Sequence, residues 1–276
     1  MLRKLCQRSG LVNTSIRMEG ASMPHTVPAL ARGLEILTLL GDGQPMSAPT
    51  IAKALGIPRA TVHELLRTLV EARFLEVEAF RYSLGVKLFE LGSAYEAGLD
   101  LIQVSRRAAQ SISGKCDETV QVAMLDGPDA VYIAKIDSSR AVQMVSAVGR
   151  RIPAHLTAGG KVLLAGLADD VLAVRYPPGM SLATMTATSL SSADDLRREV
   201  EQIRHDGLAW DRCESNPDVC CVAAPIRDRA GIIAAISISV PVSRWTDSRG
   251  QELAVFVVEG ARDASAQFGY RDFRSA

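Results

Sequence analysis

The period of the hydrophobic positions changes several times along the chain, and each change marks an element. Leu30, Leu34, Leu37 and Leu40 recur at three- and four-residue steps, which predicts a helix over 28–40, closed by GDGQP at 41–45. Ile51, Ala52 and Leu55 space a second short helix that Ser47 can cap, and Val62, Leu65, Leu66 and Leu69 space a third. Gly56 suits the positive φ of a helix C-cap, and Pro58 suits the first position of the next helix, where its missing N–H costs nothing. Ala52 is small where two helices joined by a tight turn approach most closely. FLEVE (74–78) and FRYSLG (80–85) then alternate like two short strands around a turn. Three helices and a hairpin predict a winged helix-turn-helix over 28–85, behind an N-terminal arm, 1–27, expected to be disordered. A plain helical hairpin is the simpler alternative.

Beyond Val86 the period is helical again, with Leu88, Leu91, Tyr95 and Leu99 marking a linker helix over 86–104. It either pairs with another subunit or packs on the wing. Residues 119–127, 130–137 and 141–149 are successive strand candidates with short connections, hence antiparallel. Helices are expected near 157–167 and 192–206, the second opened by Ser192 with Asp195 and closed by Gly207. Residues 219–228 and 231–242 read as a hairpin, and a final helix starts near Ser248. This order predicts an α/β domain over 105–270, with an antiparallel sheet, helices against it and a pocket between them. The fold class is therefore α+β in two domains.

Composition adds limits. At 47% hydrophobic and 22% charged the chain can build full cores. Its 31 basic and 31 acidic residues cancel, so attraction to phosphate has to be local. No apolar run suggests a membrane span, and the first 27 residues lack the apolar segment of a secretory signal. Cys6, Cys116, Cys213, Cys220 and Cys221 are odd in number and irregularly spaced, which implies no disulfide framework and fits a reducing cytoplasm. Cys220 and Cys221 would point to opposite faces of a strand, which argues against both joining Cys213 and His205 around one metal. A redox role for the pair is disfavoured equally. No metal or cofactor is expected. The chain has no G-x-S-x-G, H-E-x-x-H or G-x-G-x-x-G, so no residue is assigned to catalysis. An enzyme whose groups assemble only in space, or a receptor acting without specific DNA binding, is the rival reading.

The pieces in this order resemble the IclR family of bacterial transcription regulators. The resemblance runs through ALARGLEIL (29–37), IAKALGIPRATVHELLRTLVEARFLE (51–76) and RYSLGVKLFELG (81–92). It continues through ETVQVAMLDG (118–127), VGRRIPAHLTAGGKVLLA (148–165) and CVAAPIRDRAGIIAAISISVP (221–241). It implies a homodimer or homotetramer bound to double-stranded operator DNA. It also implies a GAF-like C-terminal domain that senses a small molecule, commonly an organic acid, with repression more frequent than activation.

A recognition helix offers its N-terminal side chains to base edges, which selects Arg59, Ala60, Thr61, His63 and Glu64, with Arg67 a turn further on. Arg59 can take guanine bidentately, or a phosphate, and Thr61 can donate to phosphate or meet a thymine methyl. His63 can bond either. Arg73 and Arg81 flank the wing as phosphate candidates. Solvated surface residues are the plain alternative for all of these. Arg59-Ala60 and Glu64 depart from the Lys-Ser and arginine that family members usually show here. Glu64 either accepts from a cytosine amine, pairs with Arg67, or weakens the site. From Pro28 to Leu84 six basic residues face six acidic ones, so affinity should come from several modules acting together.

Ala158-Gly159-Gly160-Lys161 opens a helix whose free N–H groups suit a carboxylate, although Val162 after Lys161 rules out a P-loop. The resemblance places Gly159 and Gly160 in the effector pocket, together with Met144, Asp211, Val219, Cys221, Ser237 and Ser239. Ser237 and Ser239 would share one face of a strand with Cys221 on its partner. Structural roles remain open: core for Met144 and Val219, satisfied hydroxyls for the serines, a turn for Asp211.

Overall fold

A computed structural model describes residues 27–41, 43–97, 100–140 and 147–270. Contacts divide the chain into two units, one ending at Tyr95 and the other starting at Glu96, each with its own core. The chain has the α+β class expected.

In the first unit, α1 (Pro28–Leu40) precedes β1 (Met46–Ser47), α2 (Ala48–Leu55) and α3 (Arg59–Glu71). The hairpin β2 (Leu75–Glu78) and β3 (Arg81–Leu84) follows, then α4 (Val86–Ala97). The strands form a small antiparallel sheet in the order β1-β3-β2. Ile36, Leu40, Ile51, Val62, Leu66 and Leu75 make the core. Leu30 and Leu34, expected in the buried stripe of α1, are exposed, and Gly33, Ile36 and Leu40 are buried instead. Gly56 takes the left-handed cap (φ 66°). Pro58 sits one residue earlier than expected, as the extended N-cap of α3. Ser47 is the N-cap residue of α2, but its hydroxyl bonds Thr50 Oγ1 at 2.9 Å rather than a backbone N–H. Gly85 has to be glycine, because a Cβ there would lie 2.4 Å from the Arg73 carbonyl.

Within the second unit α5 (Asp100–Cys116) extends to Cys116, well past residue 104, where the linker helix was expected to end. Its Ile102, Ala109 and Ile112 face a core, which is why it continues. β4 (Thr119–Asp126) and β5 (Asp129–Ile136) lead to β6 (Arg151–Pro153) and α6 (Ala158–Ala165). Then come α7 (Asp169–Arg175), α8 (Ala193–Asp206), β7 (Ala209–Arg212), β8 (Val219–Arg227), β9 (Ile232–Pro241) and α9 (Asp247–Gln267). The six strands pair antiparallel in the order β6-β5-β4-β9-β8-β7. Of the third strand expected, 141–146 lie outside the described residues, and 147–150 form a turn with Gly149 at φ 85°. The edge strand beside β5 is β6, which follows that turn. The Ser192 hydroxyl caps α8 at the Asp195 N–H (3.1 Å), and Gly207 ends it at φ 70°.

The sheet is covered on both faces. Ala234, Ile236, Ile238 and Val240 of β9 enter the core under α5 and α9. Alternation then turns Ala235, Ser237 and Ser239 toward α6 and α8, where Ala235 packs with Val162, Leu163 and Leu196. Within β9, one face is thus wholly apolar and the other carries two buried hydroxyls.

Candidate functional site

The first unit presents α3 and the hairpin. Val62 and Leu66 are buried, which leaves Arg59, Ala60, His63, Glu64 and Arg67 exposed and Thr61 half-buried. His63, Glu64, Arg67 and Glu71 of α3, with Val77 and Tyr82 of the hairpin, line a depression of about 460 Å³. Arg67 pairs with Glu71 (3.8 Å) rather than with Glu64, and both side chains are exposed, so the pair contributes little stability. Arg81 donates from Nη1 to the Pro45 carbonyl (3.0 Å), which ties the hairpin to the loop before α2. Arg73 is exposed and holds a left-handed conformation (φ 63°) at the turn into the wing. Ala79 and Phe80 carry positive φ at the hairpin tip, and Phe80 is 90% exposed.

The second unit gathers polar groups under the start of α6. Thr157 caps that helix by accepting from the Gly160 N–H (2.9 Å), and the Ala158 and Gly159 N–H groups have no carbonyl within the helix to bond. Gly160 is required by close approach, since a Cβ would lie 2.1 Å from the Ala154 carbonyl. A Cβ at Gly159 would meet only Ala235, at 3.8 Å. On the sheet face that packs against α6, Ser239 donates to Gln121 Oε1 at 3.3 Å, Ser237 to the Gln121 carbonyl at 3.5 Å, and the Cys221 and Ser239 side chains stand 3.2 Å apart. These are long bonds. Asp211, opposite Cys221 in register, is fully buried and accepts from the Glu214 N–H (2.6 Å) and Ser215 Oγ (2.7 Å). Val219 is buried on β8. Met144 lies outside the described residues.

Electrostatics here follow from burial. Desolvation raises the Asp211 carboxyl against the bonds from Ser215 and Glu214 and the nearby Lys161 charge. It pushes the Cys221 thiol well up, with Asp211 adding to it, so Cys221 stands as a neutral thiol. Tyr132, buried on β5 and close enough to feel Cys221, Asp211 and Thr157, is raised well above the ordinary phenol value.

The arrangement also includes groups that sequence reasoning missed. Lys161 is fully buried, and its Nζ donates to Glu199 Oε1 at 2.5 Å and to both Glu214 oxygens at 2.8 and 2.9 Å. This bridge ties α6 to α8 and to the turn after β7. A lone lysine in the otherwise apolar AGGKVLLA was the available signal, but its partners lie 38 and 53 residues away. Gln121 and Tyr132 had no local signal beyond their place in alternating strands. Among the described residues no three His, Cys, Asp or Glu side chains group as metal ligands, and no helix is long and apolar enough to cross a membrane.

Comparison with known proteins agrees with this two-part geometry. Residues 29–79 match the IclR helix-turn-helix domain, and residues 93–266 match the C-terminal domain of bacterial IclR transcriptional regulators. The chain is 33% identical over 253 residues to the HTH-type transcriptional regulator KdgR of Escherichia coli K12, covering 91% of this chain and 96% of that one. It is 33% identical over 247 residues to the transcriptional repressor AllR of Salmonella paratyphi A, covering 88% and 90%. The crystal structure of Thermotoga maritima IclR superposes with a TM-score of 0.74 at 27% identity, over 89% of this chain and 100% of that one. With both domains matched in order, the chain belongs to the IclR family of bacterial transcriptional regulators.

Proposed function

We propose that this regulator is a cytoplasmic, homo-oligomeric repressor whose grip on operator DNA is controlled by a small organic acid bound under the N-terminus of α6. The observation that carries the reading is the polar face of Ser237, Ser239, Cys221 and Asp211, on the side of the sheet against which α6 packs through Ala235. A carboxylate there would meet backbone N–H donors at a helix start, while the hydroxyls exchange long bonds for shorter ones to the ligand. Met144 belongs to this set by its place in the family motif. Repression follows the relatives described as repressors.

On the DNA side Arg59, Ala60, Thr61, His63, Glu64 and Arg67 serve as the base-reading set, supported by their position on one side of α3. Arg73 is the exposed phosphate contact of the wing. Arg81 serves chiefly as an anchor through its bond to Pro45. The exposed Leu30, Leu34, Phe89 and Leu91 support burial of α1 and α4 against a second copy, with Phe89 74% exposed in the single chain. A ligand then changes the spacing of recognition helices within the oligomer by favouring one subunit arrangement.

Calorimetric titration with short aliphatic oxo- and hydroxy-acids tests the pocket. Saturable binding that Ser239→Ala weakens about tenfold, with operator affinity unchanged, supports it. Equal binding by wild type and variant refutes the placement.

A further inference from the structure

Outside the ligand face, Cys213 and Cys220 bring their sulfurs to 3.4 Å, and both thiols are free. Cys220 lies opposite Arg212 in the β7–β8 ladder, and Cys213, the next residue, leaves the sheet with φ 64°. Cys213 is partly exposed and Cys220 is buried. Cys221 alternates to the other face of β8, beside Ser239, so the sheet separates it from this pair.

We propose that Cys213 and Cys220 are a modification site, closing to an intramolecular disulfide when the protein meets hydrogen peroxide. A disulfide requires about 2.0 Å between the sulfurs, so they need to approach by about 1.4 Å, within the reach of two side-chain rotations. The Cys213 thiolate attacks one peroxide oxygen and the O–O bond breaks, giving Cys213 sulfenic acid and a hydroxide that is protonated to water. The Cys220 sulfur then attacks the Cys213 sulfur and displaces hydroxide, which leaves as a second water with the Cys220 proton. Two thiols lose two electrons and one peroxide gains them. The division of roles follows exposure. Burial, with the adjacent Cys213 thiol, holds Cys220 up at about 12, so it stays protonated while Cys213 meets the oxidant. The cross-link closes the turn that carries Glu214, whose carboxylate holds Lys161 and whose N–H holds Asp211.

The test is peptide mass mapping of the reduced, full-length protein after hydrogen peroxide, with remaining thiols alkylated and neither ligand nor DNA present. Its outcome is thus independent of the ligand reading. Two of the five thiols should be lost, with Cys213 and Cys220 in one linked peptide lighter by two hydrogens and released by dithiothreitol. Cys221→Ser should leave that link intact, and Cys220→Ser should leave a Cys213 sulfenic acid that dimedone traps. Five unmodified thiols, a sulfinic acid at wild-type Cys213, or a link through any other cysteine would overturn the proposal.

Discussion

Replacing Lys161 with methionine keeps most of the side-chain volume and removes only the charge. Nζ is fully enclosed and makes three contacts of 2.5–2.9 Å with Glu199 and Glu214. The Glu214 side chain is 9% exposed and has no other cation to turn to in this cluster, whereas Glu199, at 29%, can take water. Breaking a buried pair from one side costs about 3–5 kcal/mol, and partial hydration of Glu199 places Lys161→Met near the lower end, about 3 kcal/mol at neutral pH. The cost should depend on pH. Burial already raises Glu214 and Asp211 while Lys161 pulls them down. A carboxyl raised in the folded state makes stability fall as pH rises from its unfolded to its folded value. Removing Lys161 raises both carboxyls further and extends that window upward, so the variant should lose most at neutral pH and least below the ordinary carboxylate range. Both tryptophans, Trp210 and Trp245, lie in the second unit with ring centroids 6.0 Å apart, so fluorescence-detected urea unfolding reads this unit alone. Adding Glu214→Gln should restore more than half of the loss. Coincident midpoints for wild type and Lys161→Met, or a difference that does not vary with pH, would show that the buried Lys161 charge does not stabilise this unit.

Gly160→Ala should destabilise the second unit by about 1–3 kcal/mol or more, because the methyl would press on the Ala154 carbonyl, read by the same unfolding curves. Gly159→Ala should leave those curves almost unchanged yet weaken acid binding in calorimetry, since its methyl meets only Ala235. Arg59→Ala should weaken operator binding by about 1–3 kcal/mol in fluorescence anisotropy and leave acid binding intact; unchanged operator affinity would remove Arg59 from the reading set.

What the sequence revealed were features set within a few residues. The helix-turn-helix was legible because the Gly56 turn and the Val62–Leu66 stripe are local, and so were the Ser192 cap and the Gly207 stop. Helix α1 was misread because it has apolar residues on two sides, and only packing against α2 and α3 decides that Ile36 rather than Leu34 is buried. Strand β7, four residues between Gly207 and Cys213, is too short to show alternation, and α7 is a short helix with one buried leucine. The alternation of Ser237 and Ser239 announced a polar strand face. That this face lies under α6, with Gln121, Asp211 and Tyr132 brought in by β4, β7 and β5, depends on β9 inserting between β4 and β8, which no local pattern encodes.

Fluorescence anisotropy of the full-length protein on DNA from upstream of its own gene, with random DNA as competitor and an acid identified by calorimetry as titrant, tests ligand-controlled operator binding most directly. Ligand-controlled binding should withstand the competitor and shift reversibly with the acid in the wild type but not in Ser239→Ala. Binding no tighter than to random DNA across a salt series and at other promoters, or specific binding that no pocket-occupying acid alters, would contradict it.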